Sequence, residues 1–458
     1  MKINRLLLFF LFTFLVLIVN GQQINHHLQD IDNFLQNEFP ENKPGAVVLI
    51  SSGDSVIYKK SYGLANIESK KPVETNMIFQ IASMTKQFTA AAIMKLVENG
   101  KLSLNDTIQQ YIDYFPLKKH PITVEHLLAQ TSGIPEFFDI DDDEYHLLVQ
   151  EHTPMELISY FKDEPLEFES GSKFRYSNSN YVLLGAIIEK VSNITYGEYL
   201  QEALFKPLGM NNTALWYQNN FDTEQIPLGY MIKDGNYVPS TPIGGSILYS
   251  SGGIVSTVDD LFKWNRALKD TTLLSNKSGS KMFTNNILTN GQPSNYGFGF
   301  FIKNLQGKRT IQHGGNLYGF TSSGLWLPDE DLFVCILSNK GFARTEEIAD
   351  YIASLLIGNP IEILKQKEIK SSKLNDYIGS YKLNAKKSKL INIIVVSERL
   401  VLTFPNQPGN EVDVLPTGED LFESKKANIT LNFIRNDVGE ISGIDIKQGE
   451  NYNWIKIK

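Results

Sequence analysis

The chain has 458 residues, 42% of them hydrophobic and 21% charged, which is enough to bury a large core and suggests more than one domain. Its formal net charge of -8 argues against nucleic acid or an anionic membrane surface as the main partner. The single cysteine, Cys335, leaves no internal disulfide to stabilise an exported protein and disfavours a cysteine hydrolase.

In chain order, Lys2 and Arg5 precede the apolar run Leu6 to Val19, and Val19-Asn20-Gly21 supplies small residues before Gln22. This predicts a cleaved secretory signal over residues 1–21, hence a periplasmic or secreted protein. The apolar run is short for a membrane span, and no cysteine near the cleavage site offers a lipid anchor, so no stable span is expected after cleavage. An amphipathic helix follows, marked by Ile24, Leu28, Ile31, Leu35 and Phe39. A hairpin is then expected from Ala46 to Ile50 and Val56 to Lys60, around Ser52-Gly53-Asp54. Phe88, Ala92 and Leu96 recur at helical spacing between Met84 and Asn99, and Gly100 supplies the stop.

A mostly helical insertion is expected over about 105–285, with one helix N-capped by Thr257 and Asp260 three residues on. Strands are expected at Tyr296 to Ile302, at Thr310 to His313 and on both sides of Pro328-Asp329-Glu330-Asp331, and a helix from Glu346 to Leu356 closes the pattern. The class is thus α/β: an antiparallel sheet flanked by helices plus an all-helical domain, together spanning 22–360. Cys335 lies in the apolar run Leu332 to Leu337 and reads as a buried strand residue. After Gly358-Asn359-Pro360, residues 361–373 read as a lysine-rich linker. From 374 to 458 the pattern alternates, as in Leu390 to Thr403, Ile429 to Ile434, Ile441 to Ile446 and Trp454 to Lys458, with a turn at Asn406-Gln407-Pro408-Gly409. This predicts a small β-barrel or sandwich.

The chemistry concentrates at Ser83-Met84-Thr85-Lys86. A serine hydroxyl is a poor nucleophile near neutral pH, and an amine one helical turn away can serve as its base if burial lowers the amine's pKa. At a helix N-terminus the nucleophile's own N–H can also face an oxyanion. The pattern alone is weak: Ser170 to Lys173 and Ser278 to Lys281 repeat it, and a capping serine beside a surface lysine explains most such matches. Two further elements change the balance. Tyr176-Ser177-Asn178 precedes a helical run with Val182, Leu183, Ala186, Ile187 and Val191, and His313-Gly314-Gly315-Asn316 ends a strand-like segment.

With Gly63-Leu64-Ala65-Asn66, Phe79-Gln80-Ile81-Ala82, Leu127 to Pro135 and Gly252 to Thr257, these motifs span about Ile24 to Ile357. The chain resembles the serine β-lactamase and penicillin-binding protein superfamily. It is similar above all to the branch of class C β-lactamases, D-alanyl-D-alanine carboxypeptidases, D-aminopeptidases and family VIII esterases. The resemblance implies that Ser83 attacks a carbonyl, that Lys86 and Tyr176 share the proton traffic, and that the N–H groups of Ser83 and Asn316 form the oxyanion hole. It also implies that Asn178 holds Lys86 and the substrate. Phenol and amine, with reference pKa values of about 10 and 10.4, act as bases near pH 7 only if depressed, and polar or cationic neighbours are expected to depress Tyr176.

His313 stands where class C β-lactamases place a lysine. A histidine is mostly neutral near pH 7, so carboxylate recognition is expected to be weak or pH-dependent. Gly314 and Gly315 are expected to let substrate backbone approach the strand edge. Gln130, where relatives commonly have histidine, falls in a loop read as structural. The C-terminal segment is similar to the lipocalin-like domains of some relatives, with a stabilising accessory as its expected role.

Asp139, Asp141, Asp142, Asp143 and Glu144 lack the glycine and distal glutamate of a calcium loop, and the histidines show no zinc spacing, so no metal or other cofactor is implied. A G-x-S-x-G elbow and a P-loop are both missing from the sequence. The expected enzyme is an exported serine hydrolase of the β-lactamase/DD-peptidase type. Its expected substrates are small peptides, including peptidoglycan fragments, with D-amino-acid amide bonds. The alternatives are an esterase or weak β-lactamase on the same scaffold, and a non-catalytic wall-peptide binder. The sequence leaves the oligomeric state open.

Overall fold

A computed structural model describes residues 26–139, 150–218, 221–233, 236–240, 245–270, 272–341, 343–363, 371–383, 390–396, 399–403, 412–424, 429–448 and 450–457. The expected signal at 1–21, the acidic run 141–144 and the turn at 406–409 lie outside these residues. The chain divides into two compact units, 1–230 with 239–361, and 231–238 with 362–458.

The first unit is built on an antiparallel sheet of β1 (Ala46–Ser52), β2 (Ser55–Tyr62), β3 (Phe301–Leu305), β4 (Lys308–Leu317), β5 (Phe320–Leu327) and β6 (Leu332–Ser338), in the order β3-β4-β5-β6-β1-β2. β5 and β6 are buried along their whole length, because helices cover both faces of the sheet. Cys335 lies fully buried in β6, opposite Leu49 of β1 and Gly324 of β5. Helix α1 (residues 26–38) and helix α5 (Thr345–Leu356) supply Ile31, Leu35, Ile348 and Ile352 to the buried side.

Helix α2 (Thr85–Glu98) starts after a short 3-10 turn at Ala82–Met84 and ends before Gly100, whose φ of 65° makes the expected stop. Its residues from Thr85 to Met94 are all buried, so α2 runs through the interior instead of lying on it with one face. Around it stand α3 (Asn178–Ser192) and α4 (Val258–Lys269). Thr257 caps α4 by accepting the Asp260 N–H, as its sequence predicts. Thr123, Thr153 and Thr195 complete full capping boxes on shorter helices. One apolar core joins the sheet to the helical part, running from Val47 and Leu337 to Phe161 and Ile187.

The strand expected from Tyr296 begins only at Phe301. Gly299 has a φ of 77°, and a Cβ there would lie 2.7 Å from the Lys86 carbonyl oxygen. Gly297 is pressed in the same way against the Met282 carbonyl. The segment therefore packs on the backbone of α2 and cannot extend the sheet.

The second unit contains a closed barrel of eight antiparallel strands: Gly379–Leu383, Leu390–Val396, Arg399–Thr403, Val412–Pro416, Leu421–Ser424, Ile429–Arg435, Ile441–Gln448 and Glu450–Lys456. It closes by pairing the first strand with the last, Tyr381 opposite Lys456. Leu390 to Thr403, expected as one strand, is two that pair with each other. Inward residues including Tyr381, Ile393, Leu402, Phe422, Leu431, Phe433 and Ile444 form the core, so side chains fill the barrel.

Candidate active site

The turn that carries Ser83 is held from several directions. Ile81 N–H donates to the Ile254 carbonyl at 3.0 Å, and the Ile81 carbonyl accepts from Ser322 Oγ at 2.8 Å. Thr85 Oγ1 accepts from Ile254 N–H at 3.1 Å. Between these anchors Ala82 adopts a φ of 47°, a region that costs a residue with a Cβ of order 1–3 kcal/mol. Such strain persists because the surrounding contacts over-determine the backbone, and it delivers Ser83 half-exposed at a cavity mouth.

Lys86, one turn on, is fully buried. Its Nζ lies 2.7 Å from Asn178 Oδ1, 2.8 Å from the Ser251 carbonyl and 3.3 Å from Ser83 Oγ. Two of these three partners are carbonyl oxygens and can only accept. A neutral amine has two hydrogens and one lone pair, so satisfying both carbonyls leaves the lone pair facing the Ser83 hydroxyl, the one partner able to donate. Burial pulls the Lys86 pKa down to about 7, against a smaller upward pull from the Glu136 charge. Both protonation states are therefore accessible near neutrality.

Tyr176 brings its ring under the same amine, 4.7 Å from Nζ, and stacks beside Phe301. Its hydroxyl is buried and makes no hydrogen bond of ordinary length to a described residue. Burial raises its pKa well above 10, reinforced by Tyr181, Glu136 and Glu346, while the Ser83 hydroxyl works in the opposite direction. The expectation that its neighbours depress it is thus reversed: Tyr176 stays a phenol, and Lys86 is the group poised to take a proton.

His313 also departs from expectation. Its Nδ1 lies 2.6 Å from the Gly314 carbonyl, which makes Nδ1 the protonated nitrogen, and Nε2 lies 3.2 Å from the Tyr296 hydroxyl. Burial first, and then the Lys86 charge, lower its pKa to about 3. The ring is neutral across the physiological range, so the expected pH-dependent carboxylate recognition has no titrating group there.

The two glycines face the protein's own atoms. A Cβ at Gly314 would meet the Glu346 side chain, and one at Gly315 would lie 2.2 Å from the Ile81 carbonyl. The small size of Gly315 lets β4 close against the turn before Ser83, while that of Gly314 makes room for the Glu346 side chain. β3 pairs with β4 only from Lys308 to Gln312, so beyond His313 no described strand covers that edge. Asn316, exposed at the end of this edge, joins Ser83, Asn178, Ser251, Phe138, Leu248, Leu317 and Tyr318 around a cavity of about 290 Å³.

The loop read as structural, Leu127 to Pro135, supports this site. Gln130 is fully buried with a φ of 60°. Its Oε1 accepts from Ser177 N–H at 3.0 Å and Asn180 Nδ2 at 2.6 Å, and its carbonyl accepts from Arg175 N–H. Glu136, mostly buried, accepts from Asn178 N–H at 2.5 Å and from Phe138 N–H at 3.3 Å. Sequence reasoning missed Glu136 and the Ser251 carbonyl. A charged residue just after an apolar loop was the only signal for the first, and a backbone acceptor leaves none. Among the described residues no three His, Cys, Asp or Glu side chains gather as a metal site.

A buried amine beside a serine, at the junction of an antiparallel sheet and a helical part, defines a serine hydrolase of the β-lactamase and penicillin-binding type. The β-lactamase family model matches residues 33–357, and the chain belongs to that family. It is 28% identical to penicillin-binding protein 4* of Bacillus subtilis over 95% of this chain and all of that one. Among solved structures, the octameric penicillin-binding protein homologue from Pyrococcus abyssi superposes with a TM-score of 0.64 at 28% identity, covering 93% of this chain and 99% of the other. A D-stereospecific amidohydrolase from Streptomyces sp. shares the fold, with a TM-score of 0.62 at 23% identity over 72% of this chain and 98% of its own.

Proposed function

We propose that the protein is an exported serine hydrolase that forms an acyl-enzyme at Ser83 and acts on amide bonds of D-amino-acid-containing peptides. The observation that carries this reading is the buried Lys86 amine, whose Nζ lies 3.3 Å from Ser83 Oγ while the Asn178 and Ser251 carbonyl oxygens hold it from the other sides. The free amine takes the Ser83 proton as Oγ bonds to the substrate carbonyl carbon. The resulting oxyanion is held by the N–H groups of Ser83 and Asn316. As the tetrahedral intermediate collapses, the carbon–nitrogen bond breaks and the amine leaves with the proton from Lys86, relayed through the Tyr176 phenol. Water then attacks the ester and loses a proton to Lys86. As the second tetrahedral intermediate collapses, the bond to Ser83 Oγ breaks, Lys86 returns that proton to the serine oxygen, and the acid is set free with the Lys86 amine neutral again.

The named relatives support the amide reading, since one is a penicillin-binding protein and another a D-stereospecific amidohydrolase. The cavity favours substrates without a free carboxylate: none of its described lining residues is charged, and His313 is neutral. An ester is therefore the second reading, ahead of a carboxypeptidase or β-lactamase substrate. Intact-protein mass spectrometry of the wild type and Ser83→Ala, each mixed with a penicillin or an activated ester, tests this. The expected result is a Ser83-dependent adduct that clears quickly with the ester and slowly with penicillin. No adduct and no turnover from a folded protein would instead mean a wall-peptide binder.

A further inference from the structure

Glu136 lies outside the three motifs, yet it is the charge that acts on the Lys86 amine from nearby. It stands in the segment after Pro135, mostly buried, and reaches the first residue of α3, 42 positions along the chain. Ser177, the residue before the helix, makes no side-chain cap, and its hydroxyl donates to the Pro135 carbonyl. Glu136 accepts the N–H of Asn178, the first residue of the helix. The Asn178 side chain accepts from Lys86 at 2.7 Å, so the carboxylate and the amine are joined through one residue.

Its two oxygens accept from two backbone N–H groups, those of Asn178 and Phe138, and an amide offers only one acceptor oxygen. The charge it carries also bears on the groups around Lys86. Tyr176 and Tyr181 present their rings at 4.7 and 5.5 Å, and both stay neutral. His313 is neutral as well. Lys303 and Glu346, which act on His313 and Tyr176, lie 3.7 Å apart and offset one another. Among the described residues, Glu136 is the charge that bears on the amine.

We propose that Glu136 is a positioning residue of this site: its carboxylate holds Asn178 against the Lys86 amine, and its charge sets the pH at which that amine becomes free to accept the serine proton. The inference rests on the hydrolase reading above. Without the anion, the ammonium loses its nearby counter-charge and gives up its proton at lower pH.

The test is the pH dependence of kcat/KM for an activated ester with wild type, Glu136→Gln and Glu136→Asp, with circular dichroism as the folding check. Glutamine keeps an acceptor for the Asn178 N–H but removes the charge, so its acid limb should move down by roughly half to one unit. Aspartate keeps the charge at shorter reach, so its limb should stay within about 0.3 unit of wild type while its plateau falls about tenfold as Asn178 loosens. A glutamine limb that superimposes on wild type, or an aspartate limb that moves as far as the glutamine one, would overturn the proposal. Should the glutamine variant not fold, the aspartate variant decides alone, because an unchanged plateau removes the positioning role. Failure of the hydrolase reading looks different: wild type and Ser83→Ala would then turn over equally or not at all.

Discussion

At the residue scale the site turns on which group is neutral. Two carbonyls and one hydroxyl around Lys86 suit an amine that has lost a proton, and burial brings that state within reach near pH 7. The base must be unprotonated to act, so kcat/KM should rise with pH through about 7. Neither His313, displaced to about 3, nor Tyr176, raised well above 10, should add a second inflection between pH 5 and 9. Steady-state rates with an activated ester across that range check this. On the same assay Lys86→Ala and Tyr176→Phe should each lower kcat by about 10²–10⁴-fold while remaining folded, since each removes one proton carrier. That Ser83, Lys86 and Tyr176 belong together was legible in the sequence, because each has a chemically distinctive side chain at a characteristic interval, and the structure brings the three side by side. Glu136 was not, because its partner is a backbone N–H far along the chain, and no pattern of side chains records such a contact.

At the element scale, α2 is held between the sheet and its neighbouring helices with no solvent-facing side over its first ten residues. The segment before β3 presses on its backbone at Gly299, which has both a left-handed φ and no room for a methyl group. Gly299→Ala should therefore destabilise the first unit by about 1–3 kcal/mol and also lower acylation, because the atom displaced is the Lys86 carbonyl. Urea melts alongside ester turnover measure both effects; a stable variant with reduced turnover would place the strain in the site alone. The sequence places α2 and its stop well, since apolar periodicity and a closing glycine are local signals. It overextends β3 for a tertiary reason, the close approach of two backbones. Leu390 to Thr403 reads as one strand for a different cause: Ser397-Glu398, between the two real strands, carries none of the Gly, Pro, Asn or Asp residues that mark a turn.

At the scale of the whole molecule, the two units have separate apolar cores, one shared by sheet and helices and one enclosed by the barrel. The choice between barrel and sandwich was beyond the sequence, because alternation fixes which residues point inward but not whether the first strand meets the last. Among the described residues no helix is long and apolar enough to cross a membrane.

The lone cysteine gives the molecule a built-in clock. Cys335 sits in the middle of the sheet with its thiol pushed far up by burial, so as a thiol it is inert and out of reach while the sheet is closed. Labelling by a thiol reagent such as dithionitrobenzoate therefore has to wait for the sheet to open. Its rate in native buffer should match the rate of global unfolding or, with slow reagent, equal the free-thiol labelling rate multiplied by the open fraction. With no other sulfhydryl in the chain, the colour released counts openings of this one sheet without any engineered probe. Labelling much faster than unfolding measured by circular dichroism would reveal a local opening around β6.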